Sequence, residues 1–298
     1  MSEVNTIRAG LTEVPLRATE FRRIRRVLLS RGVVVFGIIV ILALITTAIL
    51  APLIAPHDPY KQNLSQTLLQ PCKEHPLGTD TLGRDMLSRL IFGTRITLMV
   101  GVVAVSVAAA IGMTIGLIAG YFGGWVSAVF MRFIDAVMAF PMILLALLIA
   151  GILEGGLKNV VIALTIGLMP QYARLMWGQV LTVKESDYVL AGHVVGASDP
   201  RIIFRHILPS CLPPLIVQIT MMMGMAILAE ASLSFLGVGI KPPEAAWGTM
   251  VNEGYQYLRT DPMLSLVPGF AIMLAVFGFS MVGDGLRDAL DPRLRGIL

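Results

Sequence analysis

Long uninterrupted runs of apolar residues constrain this chain more than any other feature of its sequence. Residues 33–55 hold 23 positions without a charge, and a helix needs about 20 mainly apolar residues to cross the hydrocarbon core of a membrane. Charged residues make up only 14% of the chain, against roughly 25% in soluble domains. The sequence therefore predicts an all-α polytopic membrane protein with six transmembrane helices. The five further apolar runs lie at 96–120, 136–153, 160–181, 212–229 and 263–283.

The distribution of basic residues predicts how these six spans are oriented. Six crossings place both termini on one side of the membrane, and cytoplasmic segments carry an excess of Lys and Arg. With the N-terminus inside, the inner segments hold fifteen Lys and Arg and the outer segments hold eight. We therefore expect cytoplasmic N- and C-termini and a cytoplasmic segment at 182–211. Cys72 and Cys211 then fall on opposite faces, which argues against a disulfide between them.

The formal net charge of +4 is concentrated in residues 1–31, where seven Arg stand against three Glu. A basic excess beside a first span favours anionic membrane lipid over nucleic acid as its partner. Within this tail, residues 20–31 place apolar side chains at helical spacing among several Arg, which predicts an amphipathic segment at the membrane surface. A tail that only sets the topology is an equally good interpretation.

Residues 188–209 form a polar segment between two apolar runs on the predicted cytoplasmic side. Small residues leave a surface of low relief near its centre, and an Asp-Pro pair is typical of a helix start. We predict a short helix–turn–helix that docks against another protein, with an ordinary solvated loop as the alternative. The residues concerned are Ala191, Gly192, Gly196, Asp199, Pro200, Arg201, Arg205 and His206, and Pro209 is expected to end the segment.

Two loops on the predicted outer side carry weaker signals. In the loop at 56–95 we expect a short amphipathic helix capped by Asp80, with an ion pair between Asp85 and Arg89 at i,i+4 spacing. The loop at 230–262 is rich in Gly, Pro and Trp, and this composition predicts an ordered but irregular segment.

Ionisable residues near the spans deserve individual interpretation, because burying a charge in a membrane is costly. Asp135 lies three residues after Arg132, which predicts a local ion pair at a span boundary. His57 and His75 are expected to be solvated loop residues. Glu230 follows the fifth span, where it either lines the outer exit of a polar cavity or reaches outer water.

The sequence lacks the motifs that familiar membrane-embedded enzymes require. It contains no His-Glu-x-x-His zinc helix, no phosphate-binding Gly-x4-Gly-Lys-Ser/Thr loop and no Gly-x-Ser-x-Gly elbow. The cysteines show no metal-site spacing and the four histidines are scattered along the chain. We therefore predict no catalytic residue, no metal and no cofactor, and expect ATP to be bound by other subunits if it is used.

The fifth span carries the best candidates for a transport route. Polar groups in a span are expensive unless they face protein or water, so Gln218 marks the inner face of this helix. Residues at i+3, i+4 and i+7 share a helix face, and here they are Met221, Met222 and Met225. These residues are predicted to line the route, with Glu230 at its outer end. Ordinary packing within the span is the alternative for the methionines.

Seven short stretches of the chain carry distinctive combinations of Gly, Pro and charged residues. They are LGTDTLGRDMLSRLIFGTR (77–95), GLIAGYFGGW (116–125), MRFIDAVMAFP (131–141), YVLAGHVVGASDPRIIFRHILP (188–209), AEASLSFLGVG (229–239), WGTM (247–250) and GDGLRDALDP (283–292). In this order, and over most of the chain, they resemble the C-type permeases of the dipeptide, oligopeptide and nickel uptake group of ABC importers.

The resemblance implies a type I importer permease fold, with spans two to six as the shared core and the first span as an addition. It also implies that 188–209 is the coupling segment, or EAA loop, which docks on a cytoplasmic ATPase. The family pattern Glu-Ala-Ala-x-x-x-Gly falls on 190–196, where Leu190 replaces the acidic residue and Gly192 replaces the second Ala. Coupling residues are therefore expected at Leu190, Ala191, Gly192, Gly196, Asp199, Arg201 and Arg205.

The resemblance further implies partners and a location in the bacterial inner membrane. The partners are a homologous second permease related by pseudo-symmetry, two cytoplasmic ATP-binding subunits and an external substrate-binding protein. The substrate stays open among dipeptides, oligopeptides, glutathione, nickel chelates, opines and sugars. An ion-coupled secondary transporter or channel, acting as an oligomer without an ATPase, is the alternative, and a scaffold without transport is a third interpretation.

These expectations divide the chain into five parts. A basic N-terminal segment at 1–32 precedes the first span at 33–55, and the outer loop at 56–95 follows it. The transmembrane core then covers 96–283, includes the coupling loop at 182–211, and leaves a cytoplasmic tail at 284–298.

Overall fold

The computed structural model describes residues 28–290, and in this range every element is helical apart from one isolated β-bridge. The all-α prediction is therefore confirmed. The helices are α1 (Gly32–Ile54), α2 (Met86–Phe122), α3 (Gly124–Met138), α4 (Met142–Ile152), α5 (Leu157–Lys184), α6 (Asp187–Val194), α7 (Asp199–Ile202), α8 (Leu208–Phe235), α9 (Trp247–Tyr255) and α10 (Met263–Leu290). The basic tail, and with it all but the last four residues of the predicted surface segment at 20–31, lies outside the described residues.

Five helices are long and apolar enough to cross a membrane, and the number is six if a bent pair of shorter helices is taken as one span. The bent pair is α3 and α4, which meet at 86° across a short break. The prediction of one continuous helix at 136–153 is therefore wrong. Pro141 precedes α4 and restricts the backbone of Phe140, so the helix ends before it and a new one begins after it.

Contacts between distant residues place both described ends of the chain on one side of the molecule. Arg31 forms an ion pair with Asp288, and the Tyr121 hydroxyl at the end of α2 donates to Asp199 at 2.7 Å. We call this end, with residues 31, 123, 185–198 and 288, the termini side. The opposite end, with residues 55–85, 153–156 and 236–262, is the loop side.

Several helices extend beyond the predicted spans. The 37 residues of α2 amount to about 55 Å of helix, which exceeds a hydrocarbon core of about 30 Å. Its first turns are the stretch that was expected to form a separate amphipathic helix in the loop at 56–95, so that expectation is wrong. The helix is capped by Asp85, whose side chain accepts from the Ser88 nitrogen at 2.8 Å, and not by Asp80. Likewise, α10 continues past 283 to Leu290.

The fifth span begins within the polar segment itself. A π-helical turn at Ile203–Ile207 joins α7 to α8 without a break, and the combined helix runs for 37 residues. Pro209 therefore lies inside a helix and does not end the segment, contrary to expectation. It is the second residue of α8, directly after the π-helical turn.

Buried charges hold the loop side together. Arg84 contacts Asp80 at 2.5 Å and Glu253 of α9 at 2.9 Å, while Arg89 lies 3.4 Å from Asp80 and 3.2 Å from the same glutamate. The predicted Asp85–Arg89 pair is wrong, because the true partners of Arg89 come from α9 and from the loop before the cap. The region expected to be irregular thus contains a helix that packs on the start of α2.

A second predicted ion pair also has a different partner. Asp135 pairs with Arg174 of α5 and not with Arg132. The guanidinium of Arg174 also lies 5.8 Å from the ring centre of Trp177. These contacts connect α3, the first helix of the bent pair, to α5. The spacing of residues along the sequence does not reveal them, because the two helices are distant in the chain.

A row of glycines brings α2 and α5 into close contact. Gly112, Gly116 and Gly120 recur every fourth residue of α2, and each faces backbone or Cβ atoms of α5. Small residues at this spacing let transmembrane helices approach closely. The backbone of α2 therefore packs directly against the helix that leads into the polar segment.

Replacing Gly116 with alanine is expected to lower the melting temperature of the purified protein by several degrees. The new Cβ would lie 2.8 Å from the Met176 Cβ and 2.9 Å from the Trp177 nitrogen, and such overpacking costs about 1–3 kcal/mol. Gly178→Ala is the matched control, because no described atom lies within 4 Å of its added Cβ. Equal melting temperatures for the two variants would contradict this account of the packing.

Candidate functional site

The polar segment folds as the predicted helix–turn–helix, with α6 and α7 joined by a short turn. Val189 and Ile202 are fully buried and pack in one cluster with residues of α5 and α8. Tyr188 also donates its hydroxyl hydrogen bond to Ser210 at 3.0 Å. The segment is therefore anchored rigidly to two spans, although most of its surface is exposed.

The turn between α6 and α7 is a Schellman motif built on Gly196. This glycine has φ of +75°, its nitrogen donates to the His193 carbonyl at 3.0 Å, and the Ala197 nitrogen donates to the Gly192 carbonyl at 3.0 Å. A left-handed residue at this position favours glycine. Gly196 thus has a backbone role in shaping the segment, in addition to the small surface that the sequence indicates.

The start of α7 differs by one residue from the prediction. Ser198 is the N-cap, so Asp199 and Pro200 occupy the first helical positions. The carboxylate of Asp199 instead accepts from Tyr121, which places a hydrogen bond between the segment and the end of α2. Sequence reasoning did not identify Tyr121, and the GLIAGYFGGW motif was the only signal that could have indicated it.

The exposed face of the segment is unexpectedly apolar. Val194 is 87% exposed and Val195 is 81% exposed, and Leu190 and Phe204 are also exposed. Contiguous exposed apolar side chains beyond the membrane mark protein–protein contact sites. Leu190 is the only one of these four that the family pattern had indicated.

The remaining predicted coupling residues lie around this surface. Ala191, Arg201 and Arg205 are exposed, whereas Gly192 is half-buried with Ile202 side-chain atoms 3.8 Å from the position of a Cβ. The structure thus brings the predicted set together at the termini side, with apolar residues at its tip and two guanidinium groups on the following helix.

In the fifth span, Gln218 and Met221 line a cleft of about 790 Å³ at the termini side. The cleft lies between α5, α8 and α10. Gln218 donates a long hydrogen bond of 3.4 Å to Gln171 of α5. The other residues that line the cleft are Leu175, Gln179, Ser210, Pro213, Pro214, Val217, Arg287 and Leu290.

The same face of α8 continues toward the loop side. Met225 is exposed, and Leu228 and Ser232 line a second cleft of about 300 Å³ between α8, α9 and α10. The positions 218, 221, 225, 228 and 232 alternate steps of three and four residues, which is the spacing of one helix face. Two clefts therefore open along a single stripe of this helix.

Two of the predicted path residues lie away from this stripe. Met222 is partly buried and packs on the main hydrophobic core. Glu230 is fully buried, accepts from the Ser234 hydroxyl at 2.8 Å, and lines neither cleft. It is nine residues from Met221, so a helix turn of 100° per residue places it on the opposite face. Glu230 therefore neither lines an exit nor reaches water in this structure.

Comparison with protein families identifies two matching models. Residues 112–296 match the family described as binding-protein-dependent transport system inner membrane component. Residues 19–71 match the N-terminal transmembrane domain of oligopeptide transport permease C. Together the two ranges cover most of the chain and leave out residues 72–111, which include the first part of α2.

Individual relatives match over most of the chain. The dipeptide transport system permease protein DppC of Haemophilus influenzae is 43% identical over 272 residues, which cover 89% of this chain and 92% of that protein. DppC of Alkalihalophilus pseudofirmus is 42% identical over 261 residues, covering 88% and 86%. The glutathione transport system permease protein GsiD of Pectobacterium atrosepticum is 42% identical over 278 residues, covering 93% and 92%.

Solved structures match at the level of the fold. An inward-facing structure of the MetNI methionine ABC transporter superposes with a TM-score of 0.57 at 19% identity, covering 69% of this chain and 98% of that one. An amino acid ABC transporter with histidines gives a TM-score of 0.53 at 16% identity, covering 66% and 92%. The described helices therefore share the fold of ABC importer permeases.

Proposed function

The chain belongs to the family of binding-protein-dependent transport system inner membrane components, and we propose from this premise that it is energised through residues 188–209. In this proposal it forms half of a translocation path together with a homologous second permease. Two cytoplasmic ATP-binding subunits dock on the segment, and an external substrate-binding protein delivers the cargo. Membership of this family argues against the alternative of an ion-coupled secondary transporter or channel.

The exposed apolar tip of the segment is the observation that carries this proposal. Val194 and Val195 face away from the protein at the end of a helix that Val189 anchors from beneath. Burying such side chains in a groove of another subunit is favourable, at about 25 cal/mol per Å² of apolar surface. The nucleotide-binding chemistry then belongs to that other subunit, in keeping with the absence of a phosphate-binding loop from this sequence.

The continuous helix from α7 to α8 supports a direct mechanical route from the docking surface to the path. A push on the segment reaches α8 through Ile203–Ile207 without crossing a flexible joint. The hydrogen bond from Tyr121 to Asp199 connects the same push to α2. Rigid-element coupling of this kind converts closure of a partner into rearrangement of packed helices.

We propose peptides or similarly small solutes as the cargo, since the relatives are named for dipeptide and glutathione transport. The experiment is uptake of a labelled dipeptide and of labelled glutathione by cells from which this chain has been deleted. Uptake of one of them should be lost on deletion and restored by the wild-type chain. Unchanged uptake of both would contradict the proposed cargo class.

The proposed orientation places the termini side in the cytoplasm and the loop side outside. Cys72 is exposed on the loop side and Cys211 is buried. Labelling of Cys72 in the wild-type protein therefore reports which side of the membrane the loop side faces. An impermeant maleimide should label wild-type protein in intact spheroplasts, and Cys72→Ser should abolish the labelling. The measurement is the mass shift of the purified chain.

A second reporter on the opposite side completes the test. Ser198 is exposed on the termini side, and Ser198→Cys in the Cys72→Ser background should react only after the membrane is permeabilised. Labelling of Ser198→Cys from outside, with Cys72 protected in wild type, would reverse the proposed orientation.

A further inference from the structure

Three potential metal ligands from separate parts of the loop side meet at one point. His57 follows α1, His75 lies in the loop and Asp85 caps α2, yet their ligand atoms all lie within 4.8 Å of one another. Sequence spacing shows no sign of this group, because the three residues are eighteen and ten positions apart. The expectation that both histidines are solvated is wrong for His75, which is buried.

Each of the two imidazole rings has a hydrogen-bond partner at one of its nitrogens. The Nε2 atom of His57 lies 2.9 Å from the Glu74 carbonyl oxygen, which can only accept. Nδ1 of His75 lies 2.8 Å from Asp85 Oδ1. In a neutral imidazole the nitrogen that carries no hydrogen keeps a lone pair, so His57 can bind a cation through Nδ1, and His75 can bind one through Nδ1 when its hydrogen is on Nε2.

The ligands are also held in place before any metal arrives. The Ser88 hydroxyl donates to Asp85 Oδ2 at 2.6 Å and accepts from the His57 backbone nitrogen at 3.0 Å. The two imidazole rings lie 4.7 Å apart between their centres. Supporting contacts of this kind lower the ordering cost of a metal site and orient its ligands.

We propose that His57, His75 and Asp85 form a binding site for Zn²⁺ on the loop side. Two imidazoles and one carboxylate suit this borderline cation, and three protein ligands leave a fourth position for water. Binding through His75 Nδ1 and Asp85 Oδ1 replaces the hydrogen bond between these two atoms, and the neutral ring then carries its hydrogen on Nε2. The exposed side of His57 gives the cation access. The bound ion would fasten the segment after α1 to the start of α2.

The test is titration of the purified full-length chain, stripped with a chelator, with zinc chloride against a chromophoric competitor. One Zn²⁺ should bind per chain, and the melting temperature should rise with zinc but not with Mg²⁺. His57→Ala, at an exposed position, should lose about tenfold or more in affinity. Asp85→Asn should lose a similar amount while asparagine keeps the helix cap, so its melting temperature without zinc should stay close to wild type.

Two controls separate this site from other ligands in the chain. His193→Ala removes an exposed histidine on the termini side and should leave zinc affinity unchanged. Cys72 lies beside the site, with its sulfur accepting from the His75 backbone nitrogen at 3.4 Å, and Cys72→Ser should also retain binding. Absence of stoichiometric binding, wild-type affinity in His57→Ala, or loss confined to Cys72→Ser would each overturn the proposal.

Discussion

Replacing both Val194 and Val195 with aspartate is expected to abolish copurification with the ATP-binding subunits and substrate-stimulated ATP hydrolysis. Both side chains are more than four-fifths exposed in the chain, so the substitutions leave its own core intact. Docking would then bury two carboxylates without partners. At about 4 kcal/mol in total, this penalty weakens the assembly roughly a thousandfold.

A matched substitution on the opposite side provides the control. Leu64 is 72% exposed in the loop before α2, and Leu64→Asp introduces the same charge into a similarly exposed apolar position. It should insert in the membrane and copurify with the ATP-binding subunits as wild type does. Retained assembly and stimulated hydrolysis in the double aspartate variant would show that 188–209 is not the docking surface.

Substitution of Val194 and Val195 tests the docking surface more directly than substitution of Gly196, the glycine of the family pattern. Gly196 has positive φ and closes the Schellman turn, so any larger residue there strains the backbone. A loss of coupling in such a variant could come from a distorted turn as easily as from a blocked surface. Val194 and Val195 carry no comparable backbone role, so their substitution tests the surface itself.

The sequence was sufficient for the features that depend on local pattern. The apolar run at 33–55 corresponds to α1, and the small and polar residues at 188–209 correspond to a helix–turn–helix. The break before Met142 was harder to predict, because Pro141 lies within a run that is otherwise apolar enough to span. Pro170 lies inside α5 without breaking it, so proline alone does not decide where a membrane helix ends.

Contacts between distant residues account for most of what the sequence did not predict. Arg84 and Glu253 are 169 positions apart, so the nearer Asp85 looked like the natural partner for the basic residues of the loop. His57, His75 and Asp85 converge only because α1 and α2 are packed side by side. The spacing of residues along the sequence describes one helix at a time, and it carries no information about contacts between residues that are distant in the chain.

The stripe along α8 combines both kinds of information. Helical spacing from Gln218 correctly places Met221 and Met225 on one face, and the structure adds two clefts that open along it. Met222 follows Met221 by one residue and so lies about 100° further around the helix axis. Its side chain is partly buried there against the main hydrophobic core. Met223 points away, buried against Gly101 of α2, as the spacing predicts. The face of α8 that borders the clefts is therefore narrower than the four positions that the sequence indicated.

Attaching a bulky thiol reagent to Met221→Cys or Met225→Cys should reduce uptake at least about tenfold, equivalent to about 1.4 kcal/mol on the transport barrier. Cys72 and Cys211 are replaced beforehand, and the reactivity of both new cysteines should change when ATP is trapped, because in the proposed mechanism α8 moves with residues 188–209. Ile49→Cys is the control, since Ile49 is exposed on α1 away from both clefts and its modification should not alter uptake. Met223→Cys should react poorly, because the side chain it replaces is buried. A flat profile along the helix, or the strongest block at 223, would move the route away from this face of α8.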